Sequence, residues 1–293
     1  MNNRNLLIIF NPASGKSNPA FKLYQFKDYL DRQNITYFIY HTRPGYKDVE
    51  EIKDFYTSGF SDIIVVGGDG TLNMVVNATM KAPIPIGILP TGTGNDFIKN
   101  LDIGDSFKQQ METAVSGDLF AVDVGLCNHI YFLNGVGIGY DGQVAHKLYK
   151  QKKKLKGHLA YLAIVLRSFL FYREKVITYK ANGQLFEEPI FMLTIGNGST
   201  FGGGFKITPR AKTNDGMLEV CVVNKISAWR RLININKLRT GTHHGVEEIK
   251  FIQCKSIRIE KAAVETHVDG EPIQSPPFDV SLLPRAIKIR VKS

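Results

Sequence analysis

A short segment at residues 67–71, with the sequence GGDGT, has the residue types of a loop that binds phosphate together with a metal ion. Three glycines in four positions let the backbone adopt positive φ and come close to a bulky anion. The carboxylate of Asp69 would repel a bare phosphate, but it could hold Mg²⁺ directly or through water, because magnesium sites combine a few carboxylates with substrate phosphates. The alternative, a plain Asp-Gly turn, does not require three glycines.

A second loop, residues 11–17 (NPASGKS), follows a short apolar run. It ends like a Walker A motif, but Phe10 stands where that motif needs a glycine, so the P-loop interpretation fails. What remains is a turn of small residues whose backbone N–H groups, Ser14 hydroxyl and Lys16 ammonium could surround a phosphate. Taken alone, this loop fits an ordinary turn better than a phosphate site.

A third loop, residues 90–97 (PTGTGNDF), follows another apolar run. It matches GxGxxG until Phe97 replaces the last glycine, so the dinucleotide fingerprint is not met. The hydroxyls of Thr91 and Thr93 could still contact phosphate beside the GGDGT loop. A literal GxGxxG match at residues 137–142 lacks a βαβ pattern around it, and we interpret it as tight turns.

The segments between these loops indicate the elements that position them. Up to residue 117, compact apolar runs alternate with stretches of helical pattern, which indicates a parallel sheet covered on both faces. The predicted strands are residues 6–10, 36–40, 63–66 and 84–89, and the predicted helices are residues 20–32, 47–56, 72–80 and one from about residue 95. Loops after such strands meet at one edge of the sheet, where open α/β sheets bind ligands.

Beyond residue 117 the pattern changes to short β-branched and aromatic runs divided by Gly, Asn and Pro turns, which indicates an antiparallel sandwich or barrel. The predicted strands are residues 121–127, 130–133, 175–180, 190–195, 217–223, 256–260 and 263–268, with helices at 158–172 and 227–239. The predicted fold is therefore a three-layer α/β nucleotide-binding domain over residues 1–122 and an antiparallel β-sandwich domain over 123–285. The last run, 286–293, could pair with either domain.

Composition narrows the class of protein. The 293 residues exceed a usual single core, and the net charge of +10 implies an anionic partner without saying which. Three scattered cysteines argue against a disulfide framework or a thiolate zinc site. The apolar run at residues 6–10 is too short for a signal peptide, and no window reaches the ~18 apolar residues of a membrane span. We expect a soluble cytoplasmic protein.

In this order, the loops resemble the catalytic domain of the diacylglycerol kinase family, close to its soluble bacterial lipid-kinase members. The matching segments are residues 11–15, 67–71 and 90–96, followed by 214–216 (NDG) and 268–271 (VDGE). The likeness spans nearly the whole chain, and the combination is far more specific than any one loop. Sphingosine and ceramide kinases share this plan, and NAD kinases share it in part through the GGDG loop.

The resemblance implies a two-domain kinase that binds ATP and Mg²⁺ in the cleft between its domains. The nucleotide contacts that it implies are Asn11, Pro12, Ala13, Ser14, Gly15, Thr42, Gly67, Gly68, Asp69, Gly70, Thr71, Leu72, Asn73 and Thr93. It also implies a second metal ion, held by Asp215 and the backbone carbonyls of Lys212 and Met217. Asn214 precedes Asp215 where the family often has a second aspartate, although an Asn oxygen is also a possible hard ligand.

Phosphoryl transfer mainly requires positioning and charge stabilisation of the γ-phosphoryl group. We therefore assign Asp69 to the magnesium network and Lys16 to neutralising phosphate charge. By resemblance Asp269 is the preferred general base for the lipid hydroxyl, and Glu271 is the alternative. A carboxylate with a pKa of ~3.9 accepts this proton only late, as the oxygen bonds to phosphorus.

Six lysines lie between residues 147 and 156, which predicts peripheral contact with an anionic membrane, at ~1 kcal/mol for each lysine near the surface. A solvated face or an RNA contact is the alternative for the lysine run. The expected partner is a membrane lipid substrate, without nucleic acid, because no RNA-binding motif is present. A homodimer is expected only from the family.

Two alternatives stay open at this point. One is an NAD kinase-like enzyme, which shares the GGDG loop but fits residues 11–15 and 90–96 less well. The other is a nucleotide- or membrane-binding protein without turnover, which would not need Asp69, Lys16 and Asp269 together. The lipid could be diacylglycerol, phosphatidylglycerol, a sphingoid base or an undecaprenol-like alcohol.

Overall fold

In the computed structural model, the described residues are 4–15, 18–43, 48–56, 59–81, 83–151, 158–262, 264–273 and 277–293, with the backbone alone for 151, 158–164 and 262. The chain divides into two units. The first consists of Met1–Val124 with Pro284–Ser293, and the second of Gly125–Leu283. This division lies two residues from the predicted boundary after residue 122, and it places the terminal residues 286–293 in the first unit.

The first unit is built on a parallel sheet. Its strands are β1 (Asn5–Phe10), β2 (Thr36–His41), β3 (Asp62–Gly67) and β4 (Ile86–Pro90), in the order β4-β3-β1-β2. The central strands are almost completely buried, which explains why they are continuous apolar runs without alternation. At the outer edge, the C-terminal strand of the chain pairs in parallel with β4 through Ile289 and Ile86.

In the described part of this unit, the sheet is accompanied by the helices α1 (Pro19–Arg32), α2 (Val49–Tyr56), α3 (Asp69–Thr79) and α4 (Phe107–Ser116). The helix predicted from about residue 95 is wrong. Asn95 has a φ of 51°, which an α-helix does not accept, and only a 3₁₀ turn at Ile98–Asn100 follows. The helix α4 begins later because Ser106 and Gln109 form a capping box there.

The second unit contains mainly antiparallel strands. They are β6 (Ile130–Phe132), β7 (Gly135–Gly139), β8 (Lys175–Ala181), β9 (Gln184–Gly196), β10 (Leu218–Asn224), β11 (Ile249–Cys254), β12 (Ser256–Ala262), β13 (Thr266–Val268) and β14 (Glu271–Ile273). The unit also contains the last residues of β5 (Asp118–Cys127) and the first residues of β15 (Phe278–Val291), two strands whose other residues belong to the first unit. The main path runs β14-β13-β7-β9-β8-β12-β15, and β10 joins β9 to β11. The predicted fold class, an α/β domain followed by an antiparallel β-sandwich, is confirmed.

Among its described residues, the second unit contains the helices α5 (Tyr140–Gln151), α6 (His158–Phe171) and α7 (Ala228–Thr240). The sequence predicted α6 and α7 but not α5. The GxGxxG match at residues 137–142 is a strand-to-helix transition and not a pair of tight turns. Gly142 is needed because a Cβ there would lie 1.9 Å from the backbone oxygen of Glu265, beside which α5 begins.

No helix in the described part of the chain is long and apolar enough to cross a membrane.

Candidate functional site

The three glycine-rich loops of the first unit lie together at the carboxyl ends of adjacent parallel strands. The N–H of Asn11, just after β1, donates to the Val66 oxygen at 3.0 Å, and the N–H of Thr91, just after β4, donates to the Gly67 oxygen at 2.8 Å. Between the loops is a cleft of about 340 Å³, lined by Asn11, Ser14, Gly68, Asp69, Gly70, Thr71, Gly92, Thr93, Gly94 and Asn95. This volume is within the usual range for small-molecule sites.

Side-chain hydrogen bonds hold the loops to one another. Asn11 Nδ2 donates to Thr71 Oγ1 at 3.0 Å, which joins the first loop to the second. The hydroxyls of Ser14 and Thr91 are hydrogen-bonded, which joins the first loop to the third. Since Ser14 and Thr91 are both buried, their main role is to fix the shape of the cleft.

The glycines of the cleft have two different roles. A Cβ on Gly92 would lie 2.7 Å from Gly68 Cα and 2.4 Å from Asn95 Oδ1, so the second and third loops approach too closely for a side chain. Gly70 is exposed, and no atom lies within 4 Å of where its Cβ would be. Packing therefore does not require glycine at position 70, whereas close approach of a ligand to the backbone would.

Asp69 begins α3 and faces this cleft. Its carboxylate accepts the N–H of Asp96 at 2.5 Å and that of Ile98 at 3.3 Å, which ties the second loop to the third. Burial raises the pKa of Asp69 to about 6, although these backbone hydrogen bonds oppose the rise. A carboxylate that is costly to ionise gains from a nearby cation, so its position suits a divalent metal ion.

The start of α3 adds positive potential to the cleft. Its N-cap, Gly68, offers no side-chain acceptor, and the first helical residues line the cleft. A helix N-terminus presents unpaired N–H groups and the positive end of the helix dipole. In addition, Asn95 Oδ1 is buried without a hydrogen-bond partner among the described residues. The cleft thus contains anion-binding N–H groups beside hard oxygen atoms.

Some of the predicted nucleotide contacts are not among the residues that line this cleft. The side chain of Leu72 is 0% exposed and belongs to the core, and Thr42 is 7% exposed, with its N–H donating to the Phe10 oxygen at 2.9 Å. Asn73 accepts hydrogen bonds from Asn77, one turn along α3. Among the other predicted residues, Pro12, Ala13 and Gly15 are exposed and Gly67 is buried, while Lys16 lies outside the described residues.

The predicted catalytic turn, Asp269–Glu271, joins β13 to β14 in the second unit. Asp269 and Gly270 have φ values of 46° and 84°, as expected for a two-residue Asp-Gly hairpin turn. The Asp269 carboxylate accepts the N–H groups of Leu133 at 2.8 Å, Asn134 at 3.0 Å and Gly135 at 2.8 Å. Glu271 is exposed at the start of β14.

Sequence reasoning missed a pair formed by a buried histidine and a half-buried aspartate beside this turn. His267 Nε2 lies 3.3 Å from Asp141 Oδ2, and the N–H of Gly270 donates to His267 Nδ1 at 3.0 Å. Burial lowers the pKa of His267, but the carboxylates of Asp141 and Asp269 outweigh it and raise the pKa overall. The available signals were His267, two residues before Asp269, and an aspartate inside the GxGxxG match.

The predicted second metal site is a loop before β10. Asp215 is exposed, and its Oδ1 accepts the N–H of Met217 at 3.0 Å, with Gly216 at a φ of 72°. Among the described residues, no group of three or more His, Cys, Asp or Glu side chains is arranged to hold a metal. A metal site here would therefore need backbone carbonyl ligands, such as those predicted at Lys212 and Met217. The second metal site stays a prediction.

Comparison with known proteins identifies relatives over both units. The family model described as the diacylglycerol kinase catalytic domain matches residues 5–127, and the "YegS C-terminal NAD kinase beta sandwich-like domain" matches residues 134–291. A "Probable lipid kinase YegS-like" from Shewanella frigidimarina is 27% identical over 247 residues, covering 80% of this chain and 79% of the relative. A "Putative lipid kinase" from Staphylococcus epidermidis is 30% identical, covering 80% of this chain and 78% of the relative.

A solved structure gives the same result. The chain is similar to the crystal structure of a "putative diacylglycerol kinase" from Bacillus anthracis, with a TM-score of 0.80 and 25% sequence identity. The similarity covers 99% of this chain and 97% of the other. The resemblance inferred from the loop motifs is confirmed.

Proposed function

Because the chain belongs to the diacylglycerol kinase catalytic-domain family of YegS-like lipid kinases, we propose that it transfers the γ-phosphoryl group of ATP to the hydroxyl of diacylglycerol or a similar lipid, with Mg²⁺ as its cofactor. The observation that carries this proposal is the cleft of the first unit. There an aspartate whose pKa is raised to about 6 lies beside the N-terminus of α3 and three glycine-rich loops.

The residues of the cleft fit a magnesium nucleotide. Magnesium prefers oxygen ligands, and it usually binds through one or two carboxylates together with substrate phosphates. Asp69 supplies the carboxylate, directly or through water, and the buried Asn95 Oδ1 without a protein partner is a second oxygen in the same cleft. When bound, Mg²⁺ supplies positive charge that neutralises the phosphate oxygens.

The backbone of the cleft binds and orients the phosphates in this proposal. The N–H groups at the start of α3 donate to phosphate oxygens, and the absence of a side chain at Gly70 lets the phosphates approach the helix. The Thr93 hydroxyl is exposed in the lining of the cleft and adds a side-chain donor. Lys16 remains a candidate for neutralising phosphate charge.

We assign the proton-accepting role to Glu271. The two oxygens of Asp269 already accept three backbone N–H groups, so that carboxylate holds the turn in place. Glu271 is exposed on the first residue of β14, where its carboxylate can reach a hydroxyl outside the unit. Its greater exposure thus favours Glu271, the alternative from the sequence, over Asp269, which the resemblance preferred.

We also propose that the protein is cytoplasmic and meets its lipid at an anionic membrane surface. Lys147 contributes little to this contact, because its Nζ donates to Gln143 Oε1 at 2.8 Å and to Ser168 Oγ at 2.9 Å. Lys150 is exposed near the end of α5, and residues 152–157 lie outside the described residues. The proposed contact is therefore carried by Lys150 and the lysines that follow it.

The proposal is tested with purified protein, labelled ATP, Mg²⁺ and a panel of extracted lipids in mixed micelles. We expect phosphorylation of a hydroxyl lipid that disappears in Asp69→Asn and on addition of a chelator. NAD is offered in parallel, because the second family model carries an NAD kinase-like description. Transfer to NAD alone would establish the alternative, and binding of ATP without transfer to any acceptor would contradict the proposed activity.

A further inference from the structure

His267 is a buried histidine whose two ring nitrogens have different partners. It lies on β13 and is 6% exposed. Its Nδ1 accepts the N–H of Gly270 at 3.0 Å, and its Nε2 lies 3.3 Å from Asp141 Oδ2. A ring nitrogen that accepts a hydrogen bond carries no proton, so the neutral ring has its proton on Nε2, where it donates to Asp141.

The local chain is built to permit this pair. Asp141 lies in the first turn of α5, and its Oδ2 also accepts from Thr194 Oγ1 at 3.5 Å. At position 137 a Cβ would lie 2.2 Å from His267 Nε2 and 2.3 Å from Asp141 Oδ2. Glycine is thus required at 137 for the two side chains to meet, which explains one glycine of the GxGxxG match without a nucleotide.

The pair completes the support of the Asp269–Gly270 turn. Asp269 attaches the turn through three backbone N–H groups of residues 133–135, and His267 attaches it through the N–H of Gly270. Glu271 follows immediately as the first residue of β14. The backbone before Glu271 is therefore held at two successive residues by two different side chains.

We propose that His267 and Asp141 are positioning residues that hold Gly270, and through it place the Glu271 carboxylate for proton transfer. This inference rests on the proposed function, in which Glu271 receives the proton of the lipid hydroxyl. Asp141 acts indirectly, through His267: it keeps the proton on Nε2 of the ring, so that Nδ1 stays an acceptor. Neither residue needs to touch the lipid or the nucleotide.

Two substitutions separate the two ring nitrogens. The carbonyl oxygen of asparagine lies near the place of Nδ1, so His267→Asn keeps an acceptor for Gly270 and loses the contact with Asp141. The amide of glutamine lies near the place of Nε2, so His267→Gln keeps the contact with Asp141 and loses the acceptor for Gly270. Both variants remove the buried ring, and each serves as the packing control for the other.

We expect His267→Gln to lower kcat by about 10–100-fold, since misplacing a catalytic group by about 1 Å has an effect of that size. His267→Asn should retain most of the wild-type kcat, and both variants should keep the wild-type KM for ATP. A purely packing role would lower both variants alike. Equal kcat in the two variants, or a lower value in His267→Asn, would overturn the inference.

The tautomer gives a readout that does not depend on activity or on the folding of a variant. Side-chain ¹⁵N NMR of the wild-type protein, recorded at a pH high enough for the His267 ring to be neutral, should show the ring protonated at Nε2 and unprotonated at Nδ1. A proton on Nδ1 would overturn the inference. If the wild-type protein phosphorylates no lipid, the proposed function is refuted. If the wild-type protein phosphorylates a lipid but the two variants have the same kcat, only the positioning role is refuted.

Discussion

Asp69 and Asp269 are both aspartates in Asp-Gly sequences whose carboxylates accept backbone N–H groups, yet their surroundings give them different uses. Asp69 lines an open cleft beside the start of a helix, where a cation or phosphate has room to bind. Asp269 accepts three N–H groups from residues 133–135, which joins its hairpin to the preceding strands. The residue type was predictable from the motifs, but these partners were not, because residues 133–135 lie far from Asp269 in sequence.

The two carboxylates of the Asp269–Glu271 turn should respond differently to neutral replacement. Glu271→Gln should lower kcat by ~10²–10⁴-fold, the usual contribution of a general base, with little change in stability or in the Kd for ATP. Asp269→Asn should instead lower the free energy of unfolding by about 1–3 kcal/mol, because an amide replaces an acceptor of buried N–H groups. Kinetics and urea unfolding of both variants check this. Full activity in Glu271→Gln would return the base assignment to Asp269.

The raised pKa of Asp69 predicts a pH-dependent difference in stability between wild type and Asp69→Asn. The folded pKa of about 6 exceeds the usual value of 3.8, so the folded protein binds more protons than the unfolded chain between these values. Relative to Asp69→Asn, the wild type should therefore lose stability as the pH rises from about 4 to 6 without divalent cations. Thermal melting of both proteins across this pH range checks the prediction. The variant also loses a hydrogen bond, but that loss is the same at every pH and does not change the slope of the stability difference against pH.

Magnesium should reverse this trend. A bound cation favours the ionised carboxylate, so Mg²⁺ with ATP should raise the Tm of the wild type more than that of Asp69→Asn at pH 7.5. Equal stabilisation of both proteins would show that Asp69 does not take part in binding the metal nucleotide.

At the scale of the elements, Gly70 and Gly92 form a matched pair of test positions in the cleft. Gly70→Ala meets no neighbouring atom in the first turn of α3, so it should not lower stability and should weaken the binding of Mg-ATP. Gly92→Ala would place a Cβ 2.7 Å from Gly68 Cα, so it should reduce both stability and affinity. Calorimetric titration with Mg-ATP and thermal melting separate the two effects. Unchanged affinity in Gly70→Ala would mean that the phosphates do not approach α3.

Helices and strands were predicted correctly where the periodicity and composition of the segment itself determine its structure. Residues 6–10 of β1 and 63–66 of β3 are apolar because the elements packed around them exclude water, and that pattern is visible in the sequence. Helix α5 was missed because its start overlaps a glycine motif, and the choice of helix there depends on the close approach of Gly142 to Glu265. The false helix at about residue 95 failed because the positive φ of Asn95 cannot be read from residue types.

At the scale of the whole molecule, the sequence predicted two domains of different class, and the chain divides close to the predicted boundary. The spacing of apolar and turn residues is enough to distinguish an alternating α/β region from a β-rich region, because that spacing reflects which residues of each element are buried. The domain with which residues 286–293 pair was left open, because strand pairing at a sheet edge depends on residues far away in sequence. Arg290 binds Asp62 there, with Nε at 2.8 Å, so a buried acidic partner stabilises pairing with the first unit.

The net charge of +10 is a property of the whole molecule. Reversing two charges can show whether membrane binding depends on this net charge or on one local group of lysines. We expect Lys150→Glu with Lys153→Glu to weaken sedimentation with vesicles containing anionic lipid, because each lysine near such a surface contributes ~1 kcal/mol. Raising the salt concentration should weaken binding of the wild type, since the Debye length falls from ~10 Å at 0.1 M to ~3 Å at 1 M. The matched control is the same double reversal at Lys180, on β8, and Lys255, between β11 and β12, two exposed lysines elsewhere in the second unit. An equal loss in the control would mean that net charge, and not the lysine run, brings the protein to the membrane.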